Sequence, residues 1–150
     1  MAHMVDVTNK PIIYREAIAS GEIKLKEETI RKIKNKEIEK GDVEAVSSVA
    51  AILAAKDSSK IIPLVHPLPI TNVDVNFDYS NNSIKVIVKV KTKAETGVEM
   101  DALAGVMAAL LTIWDMTKQY EKDEKGLYPN TQIFNVKVEN KIKRNSSLDI

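Results

Sequence analysis

The sequence predicts an α+β domain, with helices packed on one face of a mainly antiparallel sheet. Three observations carry that expectation. Val73, Val75 and Phe77 alternate with Asn72, Asp74 and Asn76. After the turn-forming "SNNS" at 80–83, Ile84, Val86, Val88 and Val90 repeat the period of two. That is the pattern of a hairpin of half-buried strands. Upstream, Val43, Val46, Ala50, Leu53 and Ala54 recur at helical spacing, and downstream residues 99–122 form a long helical segment whose middle, "ALAGVMAALLTIW", is apolar nearly all round.

The elements follow in order. Residues 4–14 ("MVDVTNKPIIY") read as extended, because Pro11 disfavours helix just before it. Residues 24–39 are rich in Lys and Glu, with Leu25, Ile30, Ile33 and Ile38 as one thin apolar stripe, which predicts a surface helix. Gly41 breaks that element, and Asp42 is a good N-cap for the next helix. The hairpin follows, then the long helix, whose all-round apolar surface predicts burial by the sheet and by another subunit. Gly126 and Pro129 mark a loop. Residues 131–139 ("TQIFNVKVE") predict a last strand with Phe134, Val136 and Val138 on one face, and from Asn140 the chain turns polar and is expected to be loose. Strand, helices, hairpin, long helix, strand is close to the split-βαβ, ferredoxin-like plan. At 150 residues, one domain over 1–150 is expected.

Composition removes several function classes. There is no cysteine, which excludes disulfides, thiolate nucleophiles and sulfur-based zinc sites. His3 and His66 are the two histidines, so a metal site would need mostly carboxylates. The net charge of +1 lacks the basic excess of a nucleic-acid binder. The apolar run at 102–114 is shorter than the roughly 20 residues of a membrane span, and no secretory signal is visible at the start. A cytoplasmic protein is the expectation.

Four places combine charge with apolar surroundings. His66 sits in "IIPLVHPLPIT" (61–71) between prolines that stiffen the backbone. Glu99 and Asp101 stand where a helix dipole favours carboxylates. Asp115 and Lys118 lie one turn apart on the apolar helix, as an ion pair or a proton-transfer couple. Lys40, beside Gly41 and a helix N-terminus, suits either a solvated turn or an anion.

In order along the chain, "MVDVT", "REA", "KGDV", "AAK", "IPLVHPLPIT", "TGVEMDAL" and "AALLTIWDMTK" resemble the cyclic pyranopterin monophosphate synthase family, also called molybdenum cofactor biosynthesis protein C. The resemblance runs from about His3 to Lys118, and it makes "AHMVDV" look like the family's own N-terminus rather than a cloning scar. It implies a ferredoxin-like fold, a homohexamer built as a trimer of dimers, and active sites at subunit interfaces. It also implies a reaction: 3′,8-cyclo-7,8-dihydroguanosine 5′-triphosphate is rearranged to the pyranopterin, a cyclic phosphate closes and pyrophosphate leaves. That reaction calls for acid–base steps and cations around the triphosphate. It needs no cofactor, although magnesium could accompany the phosphates.

Carried across by motif, the resemblance makes Asp115, Lys118 and Lys40 catalytic. It makes Leu64, Val65 and His66, and Met100 and Asp101 with Glu99 just before them, substrate-binding, with Arg15 and Lys56 as triphosphate clamps. His66, Lys40, Asp115 and Lys118 are then expected to line one cavity. The sequence departs from the family at Val65 and Thr117, where cysteines are common, at Asp101, where glutamate is usual, and at Glu95, where a lysine is common. The family's glycine-rich tail is replaced by "NKIKRNSS", in which Lys141, Lys143 and Arg144 could supply phosphate contacts. The rival classes are a ferredoxin-like nucleotide-binding or regulatory module without catalysis, and an RNA-binding domain, which the absence of sheet-surface aromatics opposes.

Overall fold

The computed structural model describes residues 1–145. Four strands form one sheet: β1 (Ile13–Lys24), β2 (Ile70–Tyr79), β3 (Ser83–Ala94) and β4 (Gln132–Arg144), in the order β2-β3-β1-β4. All neighbours are antiparallel. Helices α1 (Glu27–Lys34), α2 (Val43–Lys56) and α3 (Glu99–Glu121) complete the α+β, ferredoxin-like plan, with a short 3₁₀ turn at Ser58–Lys60.

The hairpin and the long helix stand where the sequence put them. Ile84, Val86, Val88 and Val90 of β3 are fully buried. They pair with Ile23, Gly21, Ala19 and Ala17 of β1, so both strands turn one row of side chains toward α3. Asp42 caps α2, its Oδ1 accepting from the Ala45 amide at 3.1 Å.

The first strand differs. Residues 4–12 are not a strand; β1 begins at Ile13 and runs through "REAIASGEIK". This is a central strand between β3 and β4, with Ala17, Ala19 and Gly21 in the row that meets α3 and Glu16, Ser20 and Glu22 in the other, so few of its positions hold the large β-formers that would announce a strand. Helix α1 is shorter than the predicted stripe. Ile30 and Ile33 are buried within it, whereas Leu25 and Ile38 are buried from the flanking coil, and Lys36 (φ 59°) marks the turn that follows. Strand β4 is longer than predicted: polar residues 140–144 pair with Ile18 through Tyr14. A strand ladder is a backbone property, and lysines are common on edge strands. Residues from Ser146 onward lie outside the described residues.

Two register shifts interrupt the β1–β4 pairing, and Asn135 has φ 56° beside one of them. The bulge separates side chains expected to share a face. Phe134 lies opposite Glu22, while a Cβ on neighbouring Gly21 would meet Val136.

Helix α2 presents an unexpected face. Its buried residues are Val43, Ser47, Ala51 and Ala55, while Val46 and Leu53 are exposed. Ala51, Gly105 and Val88 explain this. A Cβ on Gly105 would lie 3.1 Å from both the Ala51 carbonyl oxygen and a Val88 methyl, so α2, α3 and the sheet meet almost backbone to backbone. Only small residues fit that seam.

At 23 residues, with an 18-residue window of mean hydropathy 1.3, α3 is long and apolar enough to cross a bilayer, unlike the shorter run at 102–114, and half of that window is buried among the chain's own elements. A second close contact sits at Gly21, where a Cβ would fall 2.8 Å from Val106 and 2.9 Å from Leu110. Gly21→Ala is expected to cost about 1–3 kcal/mol through overpacking, measured as a lowered urea midpoint with unchanged m-value.

Candidate functional site

Helices α2 and α3 run antiparallel, so the ends of the pair carry different groups. At one end the Lys40 ammonium, just before α2, meets the Asp115 carboxylate toward the C-terminus of α3; at the other, Ser58 beyond α2 meets Asp101 near the start of α3. At the C-terminal end of α3, Lys40 Nζ lies 3.2 Å from Asp115 Oδ2 and donates to the Asp115 carbonyl at 3.1 Å, while Lys118 Nζ lies 3.1 Å from Asp115 Oδ1. One carboxylate is thus held between two ammonium groups. Hydrogen bonding from Lys118, then from Lys40, holds Asp115 below the usual carboxylate range. Leu111 and Trp114 continue the same shallow recess, so the charges border an apolar wall.

The loop carrying Lys40 is shaped locally. Lys36 and Gly41 both have positive φ, and Lys36 pairs with the capping Asp42 at 2.8 Å. The sequence reading missed what ties this loop to α3. The Glu39 amide donates to Tyr120 Oη at 2.9 Å, and Gln119 Nε2 donates to Glu39 Oε2 at 3.0 Å. It also missed Glu121, fully buried, which accepts from Thr29 Oγ1, the Lys26 amide and Thr131 Oγ1. The Gln-Tyr-Glu run directly after "DMTK" was the available signal.

The other end of the pair holds a second group. Arg15 donates through Nε to the Ala94 carbonyl (3.1 Å) and through Nη2 to the Glu95 carbonyl (3.0 Å), which fixes its guanidinium. Arg15, Glu99, Lys141 and Lys143 line a recess of about 170 Å³. Two of the three tail cations named from the sequence, Lys141 and Lys143, therefore do join Arg15. Glu99 is ion-paired with Lys141; burial alone would push its carboxyl up, but Lys141 and then Arg15 bring it below the ordinary range. His66 lines an adjacent cleft of about 390 Å³ with Glu95 and residues 4–8. Leu64 is exposed and Val65 half-buried beside it. Lys56, at the C-terminal end of α2, is exposed.

Two expectations need correction. Asp101 does not face a recess: it is 3% exposed and accepts from Ser58 Oγ, while its neighbour Met100 points to solvent. Burial raises the Asp101 carboxyl above its ordinary value, and the shorter aspartate reaches Ser58 rather than outward. Nor does one chain gather His66 with Lys40, Asp115 and Lys118. Asp101 and Asp115 are fourteen residues apart on one helix, a separation of about 21 Å along its axis, and the two groups stand at its opposite ends. Among the described residues, no cluster of three His, Asp or Glu side chains is arranged to hold a metal ion.

This distribution of groups over one ferredoxin-like chain can be set beside known proteins. Residues 4–143 match the MoaC family. The chain belongs to that family. A MoaC relative from Sulfurisphaera tokodaii is 54% identical over 142 residues, covering 95% of this chain and 94% of the relative, and is named a probable cyclic pyranopterin monophosphate synthase. One from Aeropyrum pernix, 55% identical over 95% of this chain and 97% of its own length, carries the same name. One from Methanothermobacter thermautotrophicus, 53% identical over 90% of this chain and 85% of the relative, is named a probable cyclic pyranopterin monophosphate synthase accessory protein. The match covers both ends of the helix pair, from "MVDV" to Lys143.

The two carboxylates are expected to titrate in opposite directions. In a carbon-detected NMR titration Asp115 should turn over below 3.8 and Asp101 above it. Lys118→Met should move Asp115 upward and leave Asp101 in place.

Proposed function

We propose that this protein is a cytoplasmic cyclic pyranopterin monophosphate synthase of molybdenum cofactor biosynthesis. It converts 3′,8-cyclo-7,8-dihydroguanosine 5′-triphosphate to the cyclic monophosphate with release of pyrophosphate. The observation that carries this reading is the Lys40–Asp115–Lys118 arrangement, in a chain of this family. A carboxylate held below the usual range is a poor base, so Asp115 stays ionised and orients the two ammonium groups. Proton transfer falls to Lys40 and Lys118. Ring closure forms a bond from a substrate hydroxyl oxygen to the α-phosphorus and breaks the bond to pyrophosphate. The hydroxyl proton passes to the Lys40 or Lys118 amine that is left once that ammonium has protonated the opening ring, and the charge on the leaving pyrophosphate is met by cations. Arg15, Lys56, Lys141 and Lys143 supply them, with Glu99 setting the Lys141 ammonium. His66, with Leu64 and Val65 beside it and Met100 exposed at the start of α3, contacts the base portion. Side-chain acid–base chemistry suffices without a cofactor, and magnesium enters only with the triphosphate.

The complete pocket, in this reading, is built by two copies of the chain. The half-sites at the ends of α3 are separated by an apolar groove of about 320 Å³ lined by Ile61, Leu103, Met107 and Leu111, with Leu53 (54% exposed) and Leu111 (57%) open to the outside. A two-fold axis crossing that surface buries it. The same axis sets the His66 end of one copy against the Asp115 end of the other. Three such dimers make the homohexamer that the family resemblance implies.

The second reading, a nucleotide-binding module without turnover, is favoured by the word "accessory" in one relative's name. Pyrophosphate release from the cyclic triphosphate separates the two. Lys118→Ala is expected to lower turnover by about 10²–10⁴-fold, the range of a lost acid–base group; near-normal turnover would sink the catalytic assignment. Mixing inactive Lys118→Ala with inactive His66→Ala after reversible dissociation should restore about a quarter of the wild-type sites, because each mixed dimer carries one intact pocket. No recovery would place each pocket within one chain.

A further inference from the structure

We propose that the N-terminal arm is a positioning element for His66: the Val5 carbonyl fixes the ring tautomer, so that Nδ1 is the nitrogen offered to the substrate. The inference rests on the reading of His66 as a substrate contact. His66 Nε2 lies 2.7 Å from the Val5 oxygen, a contact between residues 61 positions apart in sequence. A carbonyl oxygen only accepts, so Nε2 must carry the proton. In the neutral imidazole the other nitrogen is then the unprotonated acceptor. Among the described residues only Nε2 of this ring is engaged.

Both sides of the contact are held. Pro67 restricts the backbone of His66 to extended conformations. The arm is shaped by Asp6, whose Oδ1 accepts from the Thr8 amide at 2.9 Å and from Thr8 Oγ1 at 2.5 Å, an Asx turn directly after Val5. The Lys10 amide donates to the Val7 carbonyl at 3.0 Å and closes the next turn. Residues 4–8 then form one wall of the cleft that His66, Pro67, Leu68 and Glu95 complete. "MVDVT" thus does local work: Asp6 and Thr8 shape the turn, and Val5 contributes its main chain.

The chain's two histidines make the test direct, because His3→Gln leaves His66 as the sole imidazole. In nitrogen-15 spectra of that variant, at a pH where the ring is neutral, the Nε2–H tautomer should dominate. Adding Asp6→Ala, which frees the turn, or deleting residues 1–6, which removes the carbonyl, should shift the ring toward a mixture of tautomers. The same changes should lower kcat/KM by about 2- to 10-fold, the worth of one hydrogen bond. An unchanged ring spectrum in both variants overturns the inference. A shifted spectrum with unchanged kcat/KM overturns the assignment of His66 as a substrate contact instead. Asp6→Ala keeps the arm's length and every core residue, so it carries the test if the deletion does not fold.

Discussion

The structure depends on how closely α3 approaches its neighbours. At Gly105 the helix has no Cβ, and the space one would fill is bounded by the Ala51 carbonyl of α2 and by Val88 of β3. At Gly21 the sheet makes the same concession to Val106 and Leu110. Dispersion falls steeply with separation, so removing two Cβ atoms from a seam lets many ordinary contacts reach their optimum. The gain is more than packing. A tight antiparallel pair fixes where Lys40 stands relative to Asp115, because the loop bearing Lys40 leads directly into α2. The Lys40–Asp115–Lys118 charge arrangement is therefore a downstream consequence of glycine and alanine at the helix seam.

The ends of α3 show two ways to keep a carboxylate on an apolar helix. Asp115 remains exposed and is balanced by two cations, which keeps it charged. Glu121, less than two turns further on, is fully buried and satisfied by two hydroxyls and an amide from two other parts of the chain. That arrangement joins the N-terminus of α1 and the start of β4 to the end of α3. A buried polar group with every partner in place rigidifies its surroundings, and with a partner missing it would be costly. The exposed carboxylate stays open to solvent between its two cations, and the buried one steadies the helix that carries both.

Much of this was legible in the residues themselves. Alternation gave the hairpin, and Asp42 gave the start of α2. The spacing of Asp115 and Lys118 put both on one helix face, and the ordered motifs gave the family. What stayed hidden was hidden for physical reasons. The row of β1 that meets α3 is Ala17, Ala19 and Gly21, too small to stand out as the apolar half of an alternation. The polar end of β4 is held by backbone pairing, to which hydropathy is blind. Helix α2 carries apolar residues on two stripes, and periodicity cannot say which one meets α3. Asp101 sits in a motif that resembles a substrate-binding pair, yet its shorter side chain reaches Ser58 and is buried there. Contacts such as Tyr120 to Glu39 need the tertiary fold before they exist at all.

The choice between the two stripes of α2 also bears on assembly. Because Ser47, Ala51 and Ala55 must face α3 for the helices to meet at Gly105, Val46, Val49 and Leu53 must face away. The outward apolar face is thus a geometric consequence of the tight seam. Adjoining it are Ile61 and Leu111, and an apolar surface of this kind is stabilised by removal from water. It also lies between the two groups of charged residues that one chain holds about 21 Å apart. A self-complementary contact over that face would relieve the exposure and unite the groups in one step. In that view the oligomer and the catalytic pocket are one solution to a single packing constraint, set where α3 has no side chain at Gly105.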